Sequence, residues 1–283
     1  MDESSAASRT AMMVAAYRAR ASARDEPICA DPWARALAGD EGAELAHRFD
    51  QRFPHMELWM ALRTTYLDHL VHRFTRNPHG FSQVVILGAG LDTRAARLAT
   101  GGVRFFEVDH PATQAEKHAR VAAVDGYPVE AATYVSCDFE KGEDFFDRLI
   151  ASGFDVDLPA LVIWEGVTAY LTEPAVRVTA RRVAHGMEAR SVLVFDHLGK
   201  RMGKGANIRN RDQETLDYVS DLGEPVMFGS DHVLPLLFEE GFMWVRQLTF
   251  DEIALAITGT YAREREFRFQ YISLASRTTP DIL

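Results

Sequence analysis

The stretch QVVILGAGLDTRAARL contains the residues best suited, by type and spacing, to bind a ligand. Four apolar residues lead into Gly88, Ala89 and Gly90, the pattern of a strand entering a nucleotide-binding turn. Glycines let the backbone of such a turn approach a ligand closely. Thr93, followed by Arg94, stands where a dinucleotide site has its third glycine. The turn therefore does not favour a negatively charged diphosphate.

Acidic residues follow the ends of the next predicted strands. Asp109, in RFFEVDHP, comes about twenty residues after the first glycine, where an acid can accept both hydroxyls of a ribose. Asp138, in YVSCDF, could accept from an adenine amino group while Phe139 covers the ring. Glu165, in LVIWEGVTAYL, ends a strand too apolar to carry a charge without a purpose. These acids predict a ligand with a ribose, an adenine and a net positive charge, which describes S-adenosylmethionine.

The motifs ILGAGLDTRAARL, FFEVDHP, WEGVTAYLTEPAV and GEPVMFG, with the Asp138-Phe139 pair, together resemble the leucine carboxyl methyltransferase-like branch of class I S-adenosylmethionine-dependent methyltransferases. The resemblance covers nearly the whole chain. It implies a Rossmann-like fold and methyl transfer to a carboxylate. Members of this family methylate the C-terminal leucine carboxylate of a protein phosphatase or carboxylates of bacterial polyketides.

The resemblance also implies roles for single residues. Arg63 and either Arg18 or Arg20 would bind the carboxylate of the cofactor's methionine part. The acids after the second and third strands would hold the ribose and the adenine. Glu165 would lie near the methionine amine, and Tyr170 beside the site of transfer. From its residue type alone, Glu165 has the alternative of an ion pair with Arg63.

The identity of the acceptor decides whether a base is needed. Methyl transfer from a sulfonium to a carboxylate is an in-line displacement that needs alignment and exclusion of water. A carboxylate is already ionised at neutral pH, whereas a phenol has an unperturbed pKa of about 10 and calls for a base. His197, in VFDHLGK, is the best-placed candidate base, with a structural role as its alternative. Lys204, Arg209 and Arg211 could supply positive charge for an acidic acceptor.

We therefore predict methyl ester formation on a small natural-product-like carboxylic acid. The alternatives are a phenolic acceptor, a protein C-terminal carboxylate and a non-catalytic S-adenosylmethionine-binding regulator. A nicotinamide-dependent oxidoreductase is disfavoured by the missing third glycine and by the several acids.

The elements that must position these residues are helices and short apolar strands in alternation. Two helices, Ser8 to Arg24 and Glu57 to Phe74, precede the first strand. Further helices are predicted at 93–98, 111–124, 144–150, 173–185 and 213–222. The predicted strands are 84–87, 103–108, 133–136, 160–164, 191–195, 243–248 and 267–274, and the last is expected to be antiparallel with one less buried side.

This alternation predicts an α/β fold, with a mostly parallel seven-stranded sheet covered by helices on both faces. We expect a single domain over 1–283. It would comprise an N-terminal helical cap (1–80), a cofactor-binding core (81–198), a lid insertion (199–230) and the C-terminal part of the core (231–283).

Composition limits the other function classes. The formal net charge of -10 and the pI of about 5.5 weigh against a nucleic-acid-binding protein. Cys29 and Cys137 are too far apart in sequence to form a metal-binding pair, so no metal is expected. No apolar run of about 18 residues and no signal peptide are apparent, so we expect a cytoplasmic protein without a membrane partner. A homo-oligomer is neither predicted nor excluded.

Overall fold

The computed structural model describes residues 9–76, 80–138, 143–203, 210–261 and 267–280. Seven strands form one sheet in the order β3-β2-β1-β4-β5-β7-β6. β1 to β5 are parallel to one another, whereas β7 runs antiparallel to both β5 and β6. The predicted fold class and the reversed last strand are confirmed. The strands are β1 Gln83–Leu87, β2 Arg104–Asp109, β3 Ala132–Ser136, β4 Ala160–Trp164, β5 Val192–Leu198, β6 Trp244–Thr249 and β7 Gln270–Ser276.

Helices cover both faces of this sheet, and for that reason the central strands are apolar along their whole length. All five residues of β1 and of β4 are buried. Alternate residues of β1 belong to different cores, with Val84 packed on one face and Val85 on the other. The helices are α1 Arg9–Ser22, α2 Ala34–Asp50, α3 Met56–Thr75, α4 Arg94–Leu98, α5 Pro111–Val121, α6 Phe145–Ala151, α7 Glu173–Gly186, α8 Asn210–Asp221, α9 Leu234–Glu239 and α10 Phe250–Thr258.

The prediction for the last strand was wrong in its position and its exposure. β7 begins at Gln270, after Phe267 and Phe269, rather than at Phe267, and it lies between β5 and β6. Six of its seven residues are buried because neighbouring strands and helices surround it. The two phenylalanines instead pack on Phe53, with ring centroids 5.2 and 5.8 Å away.

The N-terminal cap contains α2 in addition to the two predicted helices. The sequence pattern of α2 is interrupted at Gly39, whose φ of 63° kinks the helix, so that no single helical stripe runs through it. α2 packs on α1, and α3 packs on α10. The capping helices thereby lie over the carboxyl ends of the parallel strands, where the candidate site residues were expected.

The segment after β5 returns across the same edge of the sheet. A short turn at Lys200–Met202 precedes α8, and beyond α8 the amides of Met227 and Phe228 donate to the carbonyl of Ala169 at 2.7 and 3.1 Å. Whether residues 199–230 act as a lid remains a prediction. In the described parts of the chain, no helix is both long and apolar enough to cross a bilayer.

Candidate active site

A cavity of about 550 Å³ opens at the carboxyl ends of the parallel strands. Its walls come from the β1 turn, from Asp109 and His110 after β2, from residues 165–171 after β4, and from the end of β5. Residues of α1, α3 and α8 close it from above. Ligands of open α/β sheets bind in a crevice at this edge. The cavity is therefore the candidate active site.

The glycine turn after β1 forms the floor of the cavity. Gly88 and Gly90 have φ values of 66° and 50°, in the left-handed region that favours glycine. The amides of Gly88 and Ala89 donate to the Val108 carbonyl at 2.8 and 3.2 Å, which ties the turn to β2. A Cβ on Gly88 would lie 2.4 Å from Val167 Cγ2. The turn is thus held by its backbone and leaves no room for a side chain.

Replacing Gly88 with alanine is expected to lower the free energy of unfolding by about 1–3 kcal/mol. The new methyl group would clash with Val167, and the residue would have to keep a left-handed φ. Urea denaturation followed by circular dichroism measures the change. Gly101→Ala is the matched control, because a Cβ there meets no atom within 4 Å. Equal stability of both variants would contradict the close packing at Gly88.

Asp109 is fixed by the same turn. Its Oδ2 accepts from the Gly90 amide at 2.5 Å and its Oδ1 accepts from the His110 amide at 2.6 Å. Burial raises the pKa of Asp109, and these two amides partly offset that effect. A carboxylate has about four acceptor positions, so each oxygen keeps capacity for one further donor. Two adjacent hydroxyls would suit this arrangement.

Asp138 occupies a less direct position. Its side chain is buried, and its carboxylate lies 3.5 Å from Nε2 of His110, which lines the cavity. Its amide donates to Glu143 at 3.0 Å. Of this pair, His110 is the residue that lines the cavity, and Asp138 is not part of its wall. Phe139 lies outside the described residues.

Glu165 contacts two arginines at the end of β4. Its Oε1 lies 2.8 Å from Arg63 Nε and its Oε2 accepts from Arg94 Nη1 at 2.6 Å. Burial alone would raise the pKa of Glu165, but the two guanidiniums lower it below its ordinary value. Arg63 also donates to Asp196 Oδ2 at 2.5 Å. The ion pair considered as the alternative for Glu165 is therefore present, although Glu165 and Arg63 both line the cavity as well.

Arg18 and Arg20 lie in different surroundings. Arg18 lines the cavity, where its Nε donates to Asp31 at 2.9 Å and its Nη2 to the Leu91 carbonyl at 2.6 Å. Arg20 instead pairs with Asp50 and Glu57 at 2.6 and 2.9 Å, outside the cavity. Of the two arginines, Arg18 is the one that can reach a ligand in the site.

His197 is 1% exposed, near the end of β5, although it contributes to the cavity wall. Its ring stacks on Tyr271 at 5.2 Å, and its Nε2 lies 3.0 Å from the Ser273 hydroxyl. Burial lowers the pKa of His197 to about 4, so the ring is neutral at physiological pH. These contacts favour the structural role of His197 over that of a base.

Tyr170 stands in the short turn after β4 and lines the cavity. Burial raises the pKa of its phenol, which keeps the hydroxyl protonated and able to donate. Beyond it the cavity wall is mostly apolar. We call the part of the wall formed by Phe49, Phe53, Met56, Met202, Val219 and Phe269 the apolar end.

A model of the leucine carboxyl methyltransferase family matches residues 11–184, which include the glycine turn, the acids at 109, 138 and 165, and both Arg18 and Arg63. The chain belongs to this family. The predicted resemblance is confirmed. The match ends within α7. Three residues of the apolar end, Met202, Val219 and Phe269, therefore lie beyond the matched range.

The chain is similar to a curated protein from Mycolicibacterium vanbaalenii, with 34% identity over 189 residues. That relative is named "Putative S-adenosyl-L-methionine-dependent methyltransferase". The alignment covers 62% of this chain and 61% of the relative, so the chain spans about three fifths of the length of the curated relatives it matches.

Solved structures share the fold. A "putative methyltransferase" from Thermobifida fusca superposes with a TM-score of 0.65 at 16% identity, covering 98% of this chain and 97% of that one. A DUF574 family protein from Streptomyces avermitilis gives a TM-score of 0.62 at 14% identity, with 94% and 97% covered. At these identities the likeness establishes the architecture alone.

The sequence did not predict a role for several residues around the site. Asp196 accepts from the Gly166 amide at 2.6 Å as well as from Arg63. Arg94 is buried and contacts Asp68 at 2.8 Å and also Asp92. Lys117 donates to the Asp92 carbonyl at 2.5 Å. A charge inside an apolar strand, as in VLVFDHL, was the available signal for Asp196.

Proposed function

We propose that this protein is an S-adenosylmethionine-dependent O-methyltransferase that converts a carboxylate of a small natural-product-like acid to its methyl ester. The observation that carries the proposal is one cavity in which a backbone-fixed acid, Asp109, lies at one end and the apolar end lies at the other. Membership of the leucine carboxyl methyltransferase family supports a carboxylate as the acceptor, and the name of the Mycolicibacterium relative supports S-adenosylmethionine as the methyl donor.

The residues of the cavity fit S-adenosylmethionine. Asp109 has acceptor capacity for the two ribose hydroxyls, and Gly88 and Gly90 line the cavity with backbone atoms alone. Arg18 and Arg63 would hold the methionine carboxylate, and Glu165 would lie near the amine. When bound, S-adenosylmethionine supplies a methyl group activated by a sulfonium.

The chain's own contribution to the reaction is positioning and exclusion of water. Helices α1, α3 and α8 close the cavity above the strand ends, and apolar side chains line the proposed acceptor side. Removing water from a carboxylate favours its attack, because its charge is then no longer stabilised by solvent. The protonated hydroxyl of Tyr170 can donate to one carboxylate oxygen and so direct the other.

Methyl transfer is expected to be nearly independent of pH between about 6 and 9. A carboxylate acceptor stays ionised over this range. His197, whose pKa is about 4 in the folded protein, stays neutral over the same range. The measurement is kcat against pH with a carboxylic acid that the enzyme turns over.

A single step near pH 7 in that profile would contradict the expectation for a carboxylate acceptor. His197→Asn identifies the group responsible, because a step that disappears in this variant would assign a base to His197. A phenolic acceptor would then become the better proposal.

Isothermal titration calorimetry with S-adenosylmethionine, S-adenosylhomocysteine and NAD tests the proposal first. Micromolar binding of the first two ligands without binding of NAD would support it, and carboxylic acids can then be screened for ester formation by mass spectrometry. Binding of NAD alone would overturn it. Tight binding of S-adenosylmethionine with slow loss of the methyl group to water, and no acceptor among acids, phenols and C-terminal peptides, would favour a non-catalytic regulator.

A further inference from the structure

The two ends of the cavity lie far apart along the edge of the sheet. Asp109 ends β2, whereas Phe269 immediately precedes β7. Four strand spacings separate β2 from β7 in the order β2-β1-β4-β5-β7. At about 4.8 Å per spacing, this distance is about 19 Å. The apolar end is therefore a compartment distinct from the part of the cavity around Asp109.

Side chains from separate elements build the apolar end. Phe49 comes from α2, Met56 from the start of α3, Met202 from the turn after β5, and Phe53 and Phe269 from loops. These five side chains and that of Val219, from α8, are uncharged and buried in the protein. The compartment can therefore accommodate a large apolar group. A hydrated group would lose its water there without a favourable contact in exchange.

The rings of this compartment are arranged edge to face. The Phe53 and Phe269 rings lie 5.8 Å apart at 64°, and the Phe49 and Phe53 rings 6.2 Å apart at 57°. Such tilted rings offer both faces and edges to another aromatic ring. Met56 and Met202 add flexible thioethers, which contact aromatic rings favourably and adapt to their outline. An aromatic guest would make these contacts, whereas a saturated guest of the same shape would gain only burial.

Charge limits the number of carboxylates that the acceptor can carry. Among the described residues of the cavity wall, the arginines are Arg18 and Arg63, and both already contact carboxylates. A second carboxylate buried at the apolar end would lose its hydration, and the described wall offers it the acid Glu224 rather than a further arginine. The guanidinium of Arg201 is not part of this wall and lies over the Phe269 ring, 4.9 Å from its centroid. The described part of the wall therefore disfavours a dianion; Lys204, Arg209 and the side chain of Arg211 lie outside the described residues.

We infer that the acceptor is an aromatic monocarboxylic acid whose ring system occupies the apolar end. The inference rests on the proposed methyl transfer and narrows its substrate class. The ring system would lie against the rings of Phe49, Phe53 and Phe269 on the cavity side, leaving the carboxylate directed toward Tyr170.

Three probes of related skeleton test this substrate class by calorimetry on protein saturated with S-adenosylhomocysteine. They are 2-naphthoate, its saturated analogue decahydro-2-naphthoate, and naphthalene-2,6-dicarboxylate. We expect 2-naphthoate to bind at least about tenfold more tightly than either of the others. Equal or tighter binding of the saturated acid or of the diacid would overturn the inference.

A matched pair of variants locates the binding. Phe53→Leu keeps an apolar side chain but removes the ring, and should reduce the preference for 2-naphthoate over its saturated analogue at least about threefold. Phe154→Leu removes a buried ring that packs on Phe106 in the core on the other face of the sheet, away from the cavity wall, and should leave the preference unchanged. Phe49→Leu replaces Phe53→Leu if that variant does not fold. An unchanged preference in the folded ring variants would overturn the assignment.

The same titrations separate this inference from the proposed function. Failure of S-adenosylmethionine and S-adenosylhomocysteine to bind would overturn the methyltransferase proposal and the acceptor class with it. Normal binding of both, with ester formation on polar or saturated acids but not on 2-naphthoate, would overturn the acceptor class alone.

Discussion

Replacing Arg94 with methionine is expected to lower the free energy of unfolding by about 3–5 kcal/mol at neutral pH. Arg94 is buried and contacts carboxylates of Asp92, Asp68 and Glu165. In this variant Asp68 would keep its ion pair with Arg97, and Glu165 would keep its ion pair with Arg63. The buried Asp92 would lose its ion pair with Arg94. An uncompensated buried carboxylate is costly, and methionine fills the volume without supplying a charge.

The loss of stability caused by Arg94→Met should be smaller at acidic pH. In the wild-type protein burial opposes ionisation of Asp92 and Glu165, yet the surrounding cations hold the pKa of both below their ordinary values. Depressed pKa values contribute stability above the unfolded pKa of about 4, and this stability is lost as the pH falls through the folded value. Removing Arg94 removes much of that contribution. The difference between variant and wild type should therefore be largest at pH 7 and reduced near pH 4.

Urea denaturation at both pH values measures these effects. Arg48→Met is the matched control, because Arg48 forms an exposed pair with Glu44 on α2 and should change stability by less than about 0.5 kcal/mol. Arg94→Lys keeps the charge but cannot reach all three carboxylates, so an intermediate loss is expected. A loss for Arg94→Met no greater than that of the control would show that the buried cluster contributes little to stability.

Asp109→Ala is expected to weaken S-adenosylmethionine binding at least about tenfold. The substitution removes the proposed acceptor of the ribose hydroxyls. It also removes the partner of the Gly90 and His110 amides, so the glycine turn loses two hydrogen bonds that fix its shape. The dissociation constant from calorimetry provides the measurement, and thermal denaturation checks that the variant is folded.

Two further variants make this result specific. Asp125→Ala removes an exposed acid beyond α5 and should leave the dissociation constant unchanged. Asp109→Asn keeps one acceptor oxygen and should give an intermediate affinity. A folded Asp109→Ala variant with wild-type affinity would reject the ribose assignment.

Local sequence was sufficient to predict the architecture. Each central strand, such as Val84–Leu87, is a short apolar run, and each is followed by a helical pattern, because both faces of a parallel sheet must be covered. The glycine turn was predictable for a similar reason, since Gly88 and Gly90 adopt backbone angles that other residues rarely accept.

The bounds and the burial of β7 could not be predicted in this way. The alternating residues from Phe267 to Tyr271 resemble a half-exposed strand. β7 is buried because it lies between β5 and β6, and the pairing with these strands joins residues far apart in the chain. The Phe267 and Phe269 side chains pack against Phe53 instead of forming one face of that strand.

The choice between Arg18 and Arg20 also required the tertiary structure. Residues two positions apart on a helix point about 200° apart, so only one of them can face the cavity. The helical pattern of α1 shows that they differ but does not identify the inward one. Packing of α1 on α2 and α3 places Arg18 beside Leu91 and Arg20 beside Glu57.

The sequence by itself determined the fold class, the family and the turn at the centre of the site, because these depend on residues close together in the chain. Only the tertiary structure decided that Glu165 and Asp196 share Arg63 and that His197 is buried and neutral. Arg63 and Asp196 are 133 positions apart, so their contact depends on how the cap and the sheet pack together. Burial and pairing set the charge of each of these groups, and both are properties of the assembled fold.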